Sequence, residues 1–203
     1  MTIESIRQTS AERLEVCFEN GEKLVSTLGV LTEYRLFAGK SLTEEERAEL
    51  ECASRRAIWR DRAIELVSRR RMSEKELHNK LVQKGAEESD AEYCVAWLTE
   101  HGMLDDAAYA GAVVRHYSDK GFGEGRIRAE LSRRGVPREL WDDALTERGE
   151  SDDKLRRYIE THLKDPTDRD AVRKLANTLY RRGFSWEEIR SAMREYEERV
   201  ERQ

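Results

Sequence analysis

Three glycines, Gly85, Gly135 and Gly183, each close a basic amphipathic stretch, and they stand 50 and 48 residues apart. The stretches end Gln83-Lys84-Gly85, Arg133-Arg134-Gly135 and Arg181-Arg182-Gly183. Eight residues before each glycine come Leu77, Ile127 and Leu175, and four before come Leu81, Leu131 and Leu179. Ten residues after come Val95, Leu145 and Met193, each preceded by a small residue, Cys94, Ala144 or Ala192. Three copies of one apolar skeleton are the signature of duplicated modules. A spacing of four within each copy is helical, and glycine suits the left-handed position that ends a helix.

Each module reads as three helices. In the first they run over 54–70, 73–84 and 88–101, in the second over 105–119, 123–134 and 138–148, and in the third over 152–163, 167–182 and 185–202. Ser73 with Glu76 and Ser185 with Glu188 form capping-box patterns, and Pro137 fits a first helical turn. Gly85, Gly102, Gly135, Gly149 and Gly183 suit C′ positions. One short helix cannot bury its own stripe, but three can close a small core and neighbouring cores can stack.

Before the repeats the period changes to that of a strand. Leu14, Val16 and Phe18 alternate with Arg13, Glu15, Cys17 and Glu19, then Asn20-Gly21 leads into Lys23–Ser26. This predicts a two-stranded hairpin, packed on a helix near 28–37 and another starting at Ser41 or Thr43, where Thr43 and Glu46 form a capping box. The expected fold class is therefore mostly α: an elongated tandem array of three three-helix repeats with a small N-terminal β-hairpin and helix cap. The expected divisions are 1–53 for the cap and 54–103, 104–149 and 150–203 for the repeats.

Composition agrees with thin cores and wide solvated faces: 39% of residues are charged and mean hydropathy is −0.84. The net charge of −5, with 37 Lys and Arg against 42 Asp and Glu, argues against a general polyanion binder. Cys17, Cys52 and Cys94 have no framework spacing and read as free thiols in a reducing compartment. Met1–Ser5 lacks the basic start of a signal peptide, and no apolar run reaches the ~20 residues of a membrane span. A cytoplasmic monomer without membrane contact is expected.

No constellation of catalytic residues emerges. Gly121-Phe122-Gly123-Glu124-Gly125 fails as a dinucleotide loop, because Arg126 stands where the third glycine belongs and no strand precedes it; a flexible interhelix turn fits better. His78, His101, His116 and His162 lack a His or Cys partner at zinc spacing, so no metal or cofactor is expected. Of the paired aspartates 105–106, 142–143 and 152–153, two would open helices and meet the macrodipole favourably, so helix capping outranks carboxylate catalysis. What remains is basic: Arg69-Arg70-Arg71, then Arg126, Arg128, Arg133 and Arg134, then Arg173, Arg181 and Arg182. Cations in a last helical turn complement the helix dipole, which accounts for many of them singly. As a set they recur once per module and would offer a long, negatively charged partner a periodic basic edge.

Three stretches stand out together: Ser68–Leu77 with Lys80-Leu81 and Lys84-Gly85; Leu98–Ala110; and Gly121 or Gly123 followed by Arg126–Leu131 and Arg134-Gly135-Val136. In order and spacing they resemble the RecX family, bacterial regulators of RecA recombinase, with Leu98–Ala110 similar to the family's junction between first and second repeats. The resemblance is strongest over 57–145, fair across the third repeat and weak before residue 50. It implies an all-helical, elongated, non-catalytic protein that binds in the groove of the RecA–single-stranded-DNA nucleoprotein filament. There it would restrain ATP hydrolysis, strand exchange and filament extension, within DNA repair, recombination and the SOS response. Two other readings stay open: weak direct DNA binding, and a helical adaptor for another protein.

Overall fold

A computed structural model describes residues 1–148 and 151–202, with backbone alone at 151 and 152. The chain forms two compact units, one of residues 1–71 and 76–104, the other of residues 72–75 and 105 onward.

The first unit opens with a three-stranded antiparallel sheet, β1 (Ile3–Gln8), β2 (Leu14–Phe18) and β3 (Lys23–Ser26), in the order β1-β2-β3. β2 and β3 are the expected hairpin. Its loop is three residues long, because Phe18 N donates to Glu22 O at 2.9 Å and Gly21 takes φ +85. β1 was not anticipated, and its irregularity explains why. The register shifts between Ile3 and Ser5, so the inward residues Ile3 and Ile6 are three apart instead of two or four. Ile3, Val16 and Phe18 pack with Val30 and Leu31 of α1 (Leu28–Glu33) and Leu50 of α2 (Glu44–Arg69).

α2 starts at the predicted capping box: Thr43 N donates to Glu46 Oε2 at 2.8 Å and Glu46 N to Thr43 Oγ1 at 3.2 Å. It then runs unbroken through Ser54, where a separate helix was expected to begin. Ser54 is not a start signal but a packing contact, fully buried with its hydroxyl 2.8 Å from that of Ser26 in the sheet. α3 (Glu74–Gln83) and α4 (Glu88–Glu100) follow, burying Leu77, Leu81, Cys94 and Leu98. Burial pushes the Cys94 thiol up to about 11, so it stays protonated and inert.

The second unit holds α5 (Asp106–Asp119), α6 (Glu124–Arg133) and α7 (Trp141–Leu145), then α8 (Ser151–His162), α9 (Arg169–Arg181) and α10 (Trp186–Glu201). The helix expected over 138–148 is split. Arg138–Leu140 and Thr146–Arg148 are 3-10 turns on either side of α7, and Pro137 stands just before the first. Trp141 turns its indole back to donate to Val136 O at 3.0 Å, and the Thr146 hydroxyl donates to Asp143 O at 2.6 Å, tightening the last turn. One core gathers Tyr109, Val114, Ile127, Leu131 and Trp141; another gathers Ile159, Leu163, Leu179, Phe184 and Ile189. Every leucine and isoleucine of the repeated skeleton at 77, 81, 127, 131, 175 and 179 is buried. Gly85, Gly102, Gly135 and Gly183 all take positive φ as expected, while Gly149 lies outside the described residues.

Successive repeats meet by one rule. The start of the middle helix of one repeat sits against the glycine turn that ends the middle helix of the next. Ser73 donates its hydroxyl to Arg134 O, and the Lys75 side chain lies over Gly135. Fifty residues later Gly123 N donates to Arg182 O and Gly125 N to Gly183 O, each at 2.9 Å. The backbones are so close that a Cβ on Gly123 would stand 2.3 Å from the Gly183 carbonyl carbon. The glycine-rich segment 121–125 is the expected interhelix turn, with Gly121 at φ +72, but Gly123, at φ −78, is required for its missing side chain, not its freedom.

Gly123→Ala isolates this close approach, because the backbone angle is ordinary and only the collision is new. We expect a loss of about 2–4 kcal/mol in urea unfolding. Gly21→Ala, where positive φ meets open space, should cost only about 1 kcal/mol. Equal losses would remove the packing account of Gly123.

Candidate functional site

The predicted arginines divide by what their guanidinium groups already do. In the first unit Arg69 pairs with Glu65 and Arg70 with Glu76, while Arg71 ends exposed beyond α2. In the second unit Arg128 bridges Glu124 at 2.7 Å and Asp142 at 2.8 Å, and Arg173 pairs with Asp170 at 3.0 Å. Exposed pairs of this kind contribute about 0–1 kcal/mol each.

Arg134 and Arg182, at equivalent positions before the repeat glycines, are structural. Arg134 donates to Tyr109 Oη at 2.6 Å and to Glu130 Oε1 at 2.7 Å. Arg182 lies over Tyr158 at 4.4 Å and Phe122 at 5.7 Å. Glu130, 3% exposed, also receives Arg133. The Arg133 guanidinium, opposed by burial and helped by Arg134 and Tyr117, holds the Glu130 carboxyl at about 2.

Arg126 and Arg181 remain, with Arg71 set apart in the first unit. Among the described residues neither Arg126 nor Arg181 meets a carboxylate. They line one groove of about 600 Å³ between α6 and the α9–α10 turn. The acids beside them are already neutralised, since Arg148 reaches both Glu124 at 3.2 Å and Glu188 at 3.4 Å. On the rim Tyr180 and Trp186 stack on each other, centroids 5.0 Å apart and planes at 18°, yet remain 53% and 45% exposed. Large aromatics left in solvent beside unpaired arginines are the composition of a binding surface, not of a core.

No local pattern marks this pair. Tyr180 lies one residue off the apolar stripe, and Trp186 opens the next helix. Only the left-handed turn at Gly183 brings them face to face. An equivalent groove at the preceding junction is lined by Lys75, Ser132, Gly135, Arg138 and Trp141, and Ser132 and Arg138 stand at the repeat positions of Tyr180 and Trp186.

For metal chemistry the described residues offer one group. His78, Glu88 and Glu92 carry ligand atoms within 4.8 Å of one another, with His78 Nε2 3.3 Å from Glu88 Oε1. In the second repeat Arg128 and Asp142, equivalent to His78 and Glu92, form an ion pair, so this is a recurrent helix–helix pairing position. Among the described residues no helix is long and apolar enough to cross a membrane.

The fold defines a tandem three-helix-repeat protein. Three RecX family models match in order: the first three-helix domain at 60–98, the second at 105–145 and the third at 150–193. The chain belongs to the RecX family of regulatory proteins. The regulatory protein RecX of Xanthomonas axonopodis pv. citri is 40% identical over 136 residues, covering 66% of this chain and 84% of that protein. That of Vibrio parahaemolyticus is 36% identical over 137 residues, covering 66% and 88%. A crystal structure of regulatory protein RecX superposes with a TM-score of 0.72 at 25% identity, covering 92% of this chain and 96% of the other. RecX from Lactobacillus salivarius, 22% identical with a TM-score of 0.65, shares the fold over 70% of this chain and 97% of its own.

Because the folded carboxyl of Glu130 titrates below its ordinary value of 4.5, its contribution is complete above that pH and is lost as pH falls toward about 2. Glu130→Gln should cost about 2 kcal/mol at pH 7 and flatten the fall of stability between pH 4.5 and 2. Unfolding curves at four pH values, parallel for the two proteins, would refute this role.

Proposed function

We propose that this protein regulates RecA in the cytoplasm, as a monomer bound in the groove of the RecA–single-stranded-DNA filament, where it restrains ATP hydrolysis, strand exchange and filament extension. Membership of the RecX family supports the regulatory role. The observation that carries a macromolecular contact is the Tyr180–Trp186 shelf beside the unpaired Arg126 and Arg181. An arginine fork can meet a carboxylate or phosphate with two bonds at once, and a planar shelf loses little entropy on contact. Tandem repeats let several weak contacts add through effective concentration.

Within the proposed set Arg69, Arg70, Arg71, Arg126, Arg128, Arg133, Arg134, Arg173, Arg181 and Arg182, affinity rests chiefly on Arg126 and Arg181. Arg134 and Arg182 act by holding their repeats in shape. The same shelf favours a second reading, direct binding of single-stranded DNA by base stacking.

RecA's DNA-dependent ATPase, measured with this protein at well under one copy per RecA, separates the two. A fall in turnover at doses too low to occupy bare DNA is the expected result, and Arg126→Glu with Arg181→Glu should raise the required dose about tenfold or more. Inhibition that appears only when the DNA itself is saturated, with steep salt dependence, would replace the filament reading by the DNA one.

A further inference from the structure

The three glycine turns share one backbone pattern, but among the described residues only two have an occupant. Gly85 N donates to Val82 O and Ala86 N to Leu81 O; Gly135 N to Ser132 O and Val136 N to Leu131 O; Gly183 N to Tyr180 O and Phe184 N to Leu179 O. At Arg134 the preceding carbonyl accepts from Ser73 Oγ, and at Arg182 it accepts from Gly123 N. Each donor is the small residue just before a helix. At the first turn Lys84, Gly85 and Glu87 are exposed, and a Cβ added at Gly85 would meet nothing within 4 Å.

We infer that the Lys84–Gly85 turn is a docking site for the start of a helix on the filament protein, an inference that rests on the filament reading above. The two junctions within the chain specify its chemistry. The incoming helix begins with serine or glycine, donates a hydroxyl or backbone N–H to the Lys84 carbonyl, and approaches a glycine that offers no side chain. That carbonyl belongs to the last turn of a helix, where acceptors lack intrahelical partners. Val82, 37% exposed, occupies the flank that Ser132 and Tyr180 occupy beside the two filled turns.

A second copy of this chain fits poorly as the occupant. Its first two donor ends are engaged in its own junctions. In the third repeat the equivalent residues, Ala171–Arg173, lie inside α9, which starts at Arg169 and is capped by Asp168 accepting from Asp170 N at 2.9 Å and Ala171 N at 3.1 Å. The third repeat thus offers no helix start of the kind that fills the two occupied turns.

Gly85→Asn tests this directly, because asparagine tolerates the left-handed conformation while its Cβ obstructs a close backbone approach. Val82→Arg crowds the same site without touching the turn. Gly39→Asn, at φ +95 with nothing within 4 Å, controls for the change itself. Binding of labelled full-length protein to RecA filaments on single-stranded DNA would be followed by anisotropy. We expect at least a tenfold loss for Gly85→Asn and Val82→Arg, no loss for Gly39→Asn, and melting temperatures within a few degrees of wild type.

Unchanged affinity in both site variants overturns the inference while leaving the filament reading standing. Parallel loss on bare DNA would make the occupant a nucleic acid, and self-association abolished by Gly85→Asn would make it a second copy; either outcome overturns it. Wild-type protein that ignores the filament sinks the functional reading and this inference together.

Discussion

The contact between the start of a middle helix and the next repeat's glycine turn is the constraint from which the second unit takes its form. It joins groups that would otherwise be unsatisfied: donors at the beginning of one helix and acceptors at the end of another. Ser73 to Arg134 O and Gly123 N to Arg182 O are the same bond made with a hydroxyl in one case and a backbone amide in the other. Because glycine stands at the contact, the two backbones approach closely enough to make it, and the groove beside it is a by-product of that approach.

The arginine content of the chain has two uses that look alike in sequence. Arg134 and Arg182 brace their repeats through tyrosines on the first helix of each, at Tyr109 and Tyr158. Arg128, Arg133, Arg148 and Arg173 are spent on carboxylates, and the near balance of charges over the whole chain reflects that pairing. Arg126 and Arg181 belong to the minority left without a carboxylate, and they stand where acids have been neutralised by Arg148. A slightly acidic protein can present a cationic surface in this way, so net charge is a poor guide to its contacts.

The repeat skeleton was legible because burial at Leu77, Leu81, Ile127, Leu131, Leu175 and Leu179 must recur at helical spacing in every copy. The capping boxes at Thr43 and Ser185 were legible because their chemistry is local. β1 was hidden by its bulge, and the continuity of α2 through Ser54 was hidden because that hydroxyl's partner, Ser26 in the sheet, lies 28 residues away. The division of arginines was not readable at all: a guanidinium's partner is chosen by residues up to 61 positions away, as Arg182 and Gly121 show.

The number of modules, their helical character and their glycine stops follow from periodicity or from chemistry within a few residues, and so were legible along the chain. Long-range packing settled which glycines serve as turns and which as contact points, which arginines are braces and which meet no carboxylate, and the exposure of the Tyr180–Trp186 shelf. Those outcomes depend on distances between segments that no local pattern encodes, and here the absence of a Cβ at Gly123 and Gly183 sets them.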